Sequence, residues 1–99
     1  MKNKFKVLLL ENIHPTAKEN LEAQGHEVTL ITYAPDQEEL ITLLKDYDAV
    51  GLRSKTKITK EVLEVNKHLL AIGCFCIGTN QVDLVAANKI GIPVFNAPH

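Results

Sequence analysis

The chain has 99 residues, of which 45% are hydrophobic and 23% are charged, and its formal net charge is -1 at pH 7. This length predicts a single domain, and the apolar fraction is sufficient for a buried core, which argues against a disordered chain. The small net charge excludes an overall field that would attract nucleic acid or an acidic membrane, so neither is expected as a partner and any anion site must be a local cluster of cations.

Short apolar runs alternate with amphipathic segments along the chain. In chain order they predict a strand at residues 5–10, a helix at 14–24, a strand at 26–32, a helix at 36–45, a strand at 48–53, a helix from 59 to about 66, a strand at 69–74, a helix at 82–89 and a strand at 92–97. Residues that favour helix ends support these boundaries. Pro15 stands at the start of the first helix, Gly25 follows its end, and Asp36 is expected to cap the second helix.

Strand–helix alternation with short connections is typical of parallel βαβ units with right-handed crossovers. Five strands and four helices predict an α/β fold, a flavodoxin-like open parallel five-stranded sheet of order 2-1-3-4-5 with helices on both faces. Because the chain ends shortly after the last predicted strand, we expect it to be truncated after strand five, without the helix that would complete one face. Ligands of such folds bind beyond the carboxyl ends of the strands.

The segment after the third predicted strand, residues 53–57, reads RSKTK. Arg53 is the one arginine of the chain, and its planar guanidinium matches a carboxylate or phosphate with two parallel hydrogen bonds, which lysine cannot do. Ser54 adds a hydroxyl, and Lys55 and Lys57 add positive charge. These residue types predict an anion site, and the alternative is a solvated basic loop.

The segment after the fourth predicted strand, residues 76–81, reads CIGTNQ. Gly78 permits a sharp turn or a close approach of a ligand, and the backbone N–H groups of Gly78 and Thr79 can face an anion. Asn80 and Gln81 can both donate and accept hydrogen bonds. The alternative is a glycine that serves only the turn from strand to helix.

Several motifs are absent from the sequence. The five glycines never form G-x-G, so the chain has neither a dinucleotide fingerprint nor a P-loop. Glu11 follows the first strand without an acidic partner, which disfavours a response-regulator receiver, and the lack of a Ser/Thr-Gly phosphate loop there disfavours flavodoxin. The four histidines lie on different elements and are predicted to be structural or solvated. Chemistry alone therefore supports a small anion-binding α/β domain and does not name a reaction.

The two cysteines, Cys74 and Cys76, flank Phe75. On a strand this spacing places both thiols on one face and the ring on the other. Two thiols without a further ligand pair cannot complete a zinc site, so no metal site is expected. Because no apolar run approaches the roughly 20 residues that span a bilayer, and residues 7–10 are too short for a signal peptide, we expect buried, reduced thiols and a cytoplasmic location.

A resemblance to a known family lies in three segments, GLRSKTKIT at 51–59, AIGCFCIGTNQVD at 71–83 and GIPVFNAP at 91–98. They resemble the N-terminal domain of the bacterial D-3-phosphoglycerate dehydrogenases, which belong to the D-isomer specific 2-hydroxyacid dehydrogenase family. The resemblance covers essentially the whole chain. It implies that residues 1–99 are the N-terminal part of the substrate-binding domain and that the NAD-binding Rossmann domain, with the catalytic residues, is absent from this chain.

The resemblance also implies roles for individual residues. Arg53 and Ser54 resemble the residues that hold the phosphate or carboxyl end of the substrate, and Gly78 and Thr79 belong to a loop that lies beside it. The backbone of Ile77 and Gly78 is implied to contact the cofactor. Ile77 stands where many relatives carry a threonine, which leaves only main-chain contacts at that position.

The implied reaction is the oxidation of 3-phospho-D-glycerate to 3-phosphohydroxypyruvate with NAD, the first step of serine synthesis, by a homo-oligomeric full-length enzyme. This chain alone is expected to be inactive and to bind no NAD. Two alternatives stay open, the substrate lobe of another D-2-hydroxyacid dehydrogenase and a non-catalytic ligand-binding or interaction module. The GLRS and GTNQVD segments favour the enzyme.

Overall fold

The predicted alternation of strands and helices is present in the computed structural model, which describes residues 4–76 and 78–96. In chain order the elements are β1 (Lys6–Leu9), α1 (Pro15–Ala23), β2 (Glu27–Leu30), α2 (Gln37–Leu44), β3 (Ala49–Leu52), α3 (Lys60–Glu64), β4 (Ala71–Cys74), α4 (Leu84–Ile90) and β5 (Val94–Asn96). All neighbouring strands pair in parallel, in the order β2-β1-β3-β4-β5. The predicted flavodoxin-like order is confirmed.

Side chains that accept a hydrogen bond from the first turn define where the helices begin. His14 Nδ1 accepts from the N–H of Thr16 at 3.1 Å before α1, and Asp36 Oδ1 accepts from the N–H of Glu39 at 2.9 Å before α2. Each cap satisfies one of the N–H groups that a helix start leaves without an intrahelical partner. The longest of these helices, α1, has 9 residues, and within the described ranges none has the length and apolar character needed to cross a membrane.

Most observed elements begin or end one or two residues inside the predicted ranges, and for two of these differences the structure shows a physical reason. The helix α4 begins two residues later than predicted, because Val82 pairs with Ile58 in an isolated parallel bridge. Asp83 then provides the N-cap of α4. The strand β4 begins later than predicted because the N–H of Leu69 closes a turn on the carbonyl of Asn66 at 3.2 Å.

Apolar side chains form one cluster on each face of the sheet. The larger cluster packs the sheet against α2, α3 and α4, and its fully buried members include Leu8, Leu40, Leu44, Val62, Leu63, Ile72 and Ala87. The smaller cluster packs the sheet against α1 and contains Val7, Leu9, Ile13 and Val28, with Ala17 and Leu21 of the helix. Burial of each such Leu, Ile or Val side chain contributes about 1.5–3 kcal/mol. Helices therefore cover both faces, as predicted.

Gly51 lies in β3 where the sheet meets the smaller cluster. A Cβ atom at this position would come within 2.7 Å of Leu9 Cδ2 and 2.9 Å of Phe75 Cε1, so no side chain fits without displacing one of them. The absence of a side chain at Gly51 therefore lets the Phe75 ring lie against β3. This contact fixes the start of the loop that follows β4.

Candidate functional site

The loops that follow β3 and β4 begin side by side at the carboxyl edge of the sheet. The last residues of these strands, Leu52 and Cys74, are register partners, and the N–H of Phe75 donates to the Leu52 carbonyl at 2.7 Å. Arg53 and Gly78 therefore both lie beyond the carboxyl edge, as predicted. This is the edge at which open parallel sheets bind ligands.

Glu11 organises the loop that follows β3. Its carboxylate accepts three backbone hydrogen bonds, from the N–H groups of Arg53 at 2.8 Å, Lys55 at 2.9 Å and Thr56 at 3.0 Å. The residue is only 9% exposed. Hydrogen bonds to a charged acceptor are stronger than neutral ones, so this carboxylate holds the loop tightly against the end of β1.

The backbone at Glu11 is itself unusual. Glu11 and Asn12 have φ values of 61° and 55°, in the left-handed region that non-glycine residues rarely adopt. Hydrogen bonds to the neighbouring strand end stabilise this conformation, because the N–H of Glu11 donates to the Tyr33 carbonyl at 3.1 Å and that of Asn12 to the Ile31 carbonyl at 2.9 Å. Glu11 thus connects the end of β1 to the chain beyond β2 and to the loop after β3.

The hydrogen bonds around Glu11 also decide its ionisation. Burial by itself would raise the pKa of this carboxyl group. The backbone N–H groups of Lys55, Arg53 and Thr56 outweigh burial, and the pKa of the Glu11 carboxyl group lies below its ordinary value of 4.5. Glu11 is therefore ionised at neutral pH, and its charge is compensated by main-chain dipoles.

We expect the stability that Glu11 provides to depend on pH. Because its folded-state pKa is lowered, the contribution is fully present above 4.5 and is lost as pH falls through the folded value. The free energy of unfolding of Glu11→Gln, measured in urea over a pH series, should therefore fall below wild type at neutral pH and converge with it in acid. Glu19→Gln, on the exposed surface of α1, is the matched control. A difference between wild type and Glu11→Gln that is constant over the series would contradict this role.

A polar cavity of about 480 Å³ opens next to this loop. Its lining residues are Glu11, Thr32, Tyr33, Ala34, Arg53, Ser54 and Lys55. The Tyr33 hydroxyl is held by a hydrogen bond to the Glu39 carboxylate on α2. Two cationic side chains and three hydroxyl groups, those of Thr32, Tyr33 and Ser54, lie on one cavity and suit a small anion that also accepts hydrogen bonds.

Arg53 also lines a second cavity, of about 630 Å³, which is bounded largely by apolar and amide side chains. Its other lining residues are Asn12, Ile13, His14, Pro15, Thr16, Ala17, Asn20 and Phe75. Arg53 is half-buried and lines both the polar cavity and this mostly apolar one. Its guanidinium is thus in a position to serve either of them.

Asn96 organises the loop that follows β4. Its Nδ2 donates to three backbone carbonyls, those of Cys74 at 3.3 Å, Cys76 at 2.6 Å and Gly78 at 2.9 Å. Since a carbonyl can only accept, the amide nitrogen and not the amide oxygen faces these groups. Gly78 has a φ of 82°, so the turn at this position requires glycine.

The two loops are joined to each other. The N–H of Ile58 donates to the Gln81 carbonyl at 2.9 Å, and the N–H of Asp83 donates to the Ile58 carbonyl at 2.9 Å. These bonds form the parallel bridge between Ile58 and Val82. A displacement of either loop is therefore transmitted to the other one.

The predicted site residues fall into two groups. Arg53 and Ser54 lie together on the polar cavity. Gly78 and Thr79 lie in the neighbouring loop and line neither of the two cavities. Ile77 lies outside the described residues. The predicted roles of these residues in substrate and cofactor binding stay predictions.

The histidines within the described ranges make structural contacts. His14 caps α1, His26 Nδ1 accepts from the N–H of Phe5 at 3.2 Å, and His68 Nε2 lies 2.9 Å from the carbonyls of both Leu44 and Tyr47. The fourth, His99, lies outside the described residues.

The thiols of Cys74 and Cys76 are unpaired and face the larger cluster, while Phe75 faces the smaller one. The predicted alternation is confirmed. Cys76 is half-buried and not buried as expected, because it lies beyond the end of β4.

Sequence reasoning missed two residues that build the site, Glu11 and Asn96. The sequence places Glu11 at the ligand-binding edge as a carboxylate without an acidic partner, whereas its partners in the structure are backbone N–H groups. Its position just after β1 is visible in the sequence, but this position does not identify its backbone partners. No pattern in the sequence points to Asn96, because its partners are backbone carbonyls, which every residue carries.

Comparisons with known proteins agree with the resemblance seen in the sequence. The family model for D-isomer specific 2-hydroxyacid dehydrogenase, catalytic domain, matches residues 7–99. A D-3-phosphoglycerate dehydrogenase of Dictyostelium discoideum is 54% identical over 97 residues, which are 98% of this chain and 24% of that protein. One of Escherichia coli strain K12 is 51% identical over 98 residues, again 98% of this chain and 24% of that protein. The similarity thus extends to a eukaryotic relative, and the chain spans about a quarter of the length of these relatives.

A similar fold is seen in the crystal structure of 3-phosphoglycerate dehydrogenase from Entamoeba histolytica with NAD+ bound. The TM-score is 0.81 at 29% sequence identity, and the match covers 96% of this chain and 33% of that one. The five-stranded parallel architecture is therefore shared with part of a dinucleotide-dependent dehydrogenase.

Proposed function

The chain belongs to the D-isomer specific 2-hydroxyacid dehydrogenase family, and from this premise we propose that it is the N-terminal part of the substrate-binding domain of an NAD-dependent D-3-phosphoglycerate dehydrogenase. The whole enzyme oxidises 3-phospho-D-glycerate to 3-phosphohydroxypyruvate for serine synthesis. In this proposal the enzyme is a cytoplasmic homo-oligomer. The two unpaired cysteines are consistent with a reducing compartment.

The observation that carries the proposal is the position of Arg53 and Ser54 on the polar cavity at the carboxyl edge of the sheet. A guanidinium can bind a phosphate or carboxylate group with two hydrogen bonds, and the adjacent hydroxyl adds a third. Lys55, on the same cavity, increases the local positive potential. The substrate carries an anionic group at each end, so this set of donors suits one of its ends.

The described residues do not fit a dinucleotide. The sequence has no G-x-G, and the N–H groups of Arg53, Lys55 and Thr56 already donate to Glu11. The Gly78 carbonyl is likewise engaged, by Asn96. We therefore assign the NAD-binding and proton-transferring groups to another part of the protein. On β5 the Phe95 side chain is 58% exposed, and it is available for contact with such a part.

The proposal is tested by NADH formation with 3-phospho-D-glycerate, D-glycerate and D-lactate, using the full-length protein and the 99-residue chain in parallel. For the full-length protein we expect kcat/KM to be at least about ten-fold higher with the phosphorylated substrate, since a charge-assisted hydrogen bond to phosphate contributes about 1.5–3 kcal/mol. The 99-residue chain should give no turnover. Turnover by the purified chain, or a preference of the full-length protein for D-lactate, would contradict the proposal.

A further inference from the structure

In the loop that carries Arg53 and Ser54, most backbone N–H groups are already engaged and cannot bind an anion. Of the four consecutive N–H groups of residues 53–56, three donate to the Glu11 carboxylate. With these N–H groups directed at the carboxylate, Arg53, Ser54 and Lys55 line the polar cavity, whereas Thr56 is buried. The orientation of Arg53 toward the cavities is therefore set by a residue 42 positions away in the sequence.

The negative charge of Glu11 distinguishes an electrostatic effect on anion binding from a geometric one. Glu11 lines the same polar cavity as Arg53, so a bound anion meets a negative charge at close range. Coulomb interaction alone would make such an anion bind more weakly. A favourable effect of Glu11 on anion binding must therefore be geometric, through the conformation of the loop.

The Glu11 carboxylate is well suited to a geometric role. Its backbone is held in the left-handed region by hydrogen bonds to the carbonyls of Tyr33 and Ile31, and its side chain is buried. A buried side chain on a constrained backbone has little conformational freedom. Groups that are held in place before a ligand arrives do not have to be ordered during binding, which raises affinity.

We propose that Glu11 is a positioning residue, whose carboxylate holds the loop of residues 53–56 in the conformation that presents Arg53 and Ser54 to the anionic end of the substrate. This inference rests on the proposed function. It gives Glu11 no contact with the reacting atoms. Its effect is on the binding of the anion.

The test rests on two effects that change KM for 3-phospho-D-glycerate in opposite directions. Glu11→Gln removes a negative charge from the cavity, so electrostatics alone would lower KM for 3-phospho-D-glycerate. Positioning requires KM to rise, because the amide group of glutamine cannot accept three hydrogen bonds at the two oxygen positions of the carboxylate. We expect a rise of about ten-fold, as ordering the loop then occurs during binding. KM for NAD should be unchanged, whereas a smaller folded fraction would lower apparent kcat and leave both KM values unchanged.

Glu38→Gln is the matched control. It removes the same charge from an exposed side chain of α2 that lines neither cavity. Its KM for 3-phospho-D-glycerate should stay equal to wild type or fall. Glu11→Asp is a second, milder variant that keeps the charge but shortens the side chain by one methylene, and it should also raise KM. Amide hydrogen exchange at Lys55 and Thr56 should be faster in both Glu11 variants.

The possible outcomes separate the inference from the proposed function. A wild-type protein that neither binds nor oxidises 3-phospho-D-glycerate would overturn the proposed function and this inference with it. An active wild type, combined with an unchanged or lowered KM in Glu11→Gln, would overturn the inference alone. A raised KM with unchanged exchange at Lys55 and Thr56 would also overturn it, since the loop would then not be what Glu11 holds.

Discussion

Arg53→Ala is expected to lower kcat/KM of the full-length enzyme for 3-phospho-D-glycerate by about ten- to hundred-fold, because a charge-assisted hydrogen bond contributes about 1.5–3 kcal/mol. Arg53 lines the polar cavity, and its backbone N–H is held by the Glu11 carboxylate, so the side chain extends from a fixed point beside the cavity. Stability should change little, because a half-buried loop side chain supports no core. Steady-state kinetics and urea denaturation of the same preparation measure both effects.

Two further variants identify which property of Arg53 matters. Arg53→Lys keeps the positive charge but loses the planar pair of donors, so it should retain only part of the activity. Lys57 is an exposed residue of the same loop and lines neither cavity. Lys57→Ala removes one positive charge there and should behave like wild type. If kcat/KM of Arg53→Ala stays within about two- to three-fold of wild type, the size of a weak surface contact, the loop is a solvated basic loop and the substrate role is wrong.

The fold was predictable because each of its determinants is local. Apolar runs, a proline at the first helical turn and capping side chains each act within a few residues, and the alternation of strands with helices then leaves few ways to order a parallel sheet. Asp36 is an example, since it was predicted to cap α2 and accepts a hydrogen bond from the N–H of Glu39 at 2.9 Å. The start of α4 was misplaced because Val82 is used by a partner distant in the sequence, Ile58.

The candidate site was predictable only in the residues whose side-chain chemistry is distinctive. Arg53 could be singled out because it is the one arginine and stands at a strand end. Glu11 could not, because its three partners are backbone N–H groups 42, 44 and 45 residues away and leave no pattern of residue types. The same holds for Asn96, whose partners are carbonyls 18 to 22 residues away. Contacts between a side chain and distant main chain depend on the register of the sheet, which residue types do not encode.

If the Gly78 loop lies beside the substrate, as the proposed function requires, Asn96→Ala is expected to lower kcat for 3-phospho-D-glycerate by about hundred-fold, because a shift of about 1 Å in such a loop can cost that much in rate. The Asn96 amide is the common donor to the carbonyls of Cys74, Cys76 and Gly78, so its loss releases the whole turn after β4. The bridge between Ile58 and Val82 then transmits the shift to the loop of Arg53. The loss of unfolding free energy should be only about 1 kcal/mol, since the released carbonyls can bond to water.

The effect of Asn96 should come from its donor group and not from its size. Asn96→Asp has nearly the same shape but turns a carboxylate oxygen toward three carbonyls, so its kcat should be at least as low as that of Asn96→Ala. Asn88→Ala, which truncates an exposed side chain of α4, is the matched control and should keep wild-type kcat. Single-turnover and steady-state rates, measured with the free energy of unfolding, separate a displaced loop from an unfolded protein. If Asn96→Asp were as active as wild type, the three hydrogen bonds would have no part in placing the Gly78 loop.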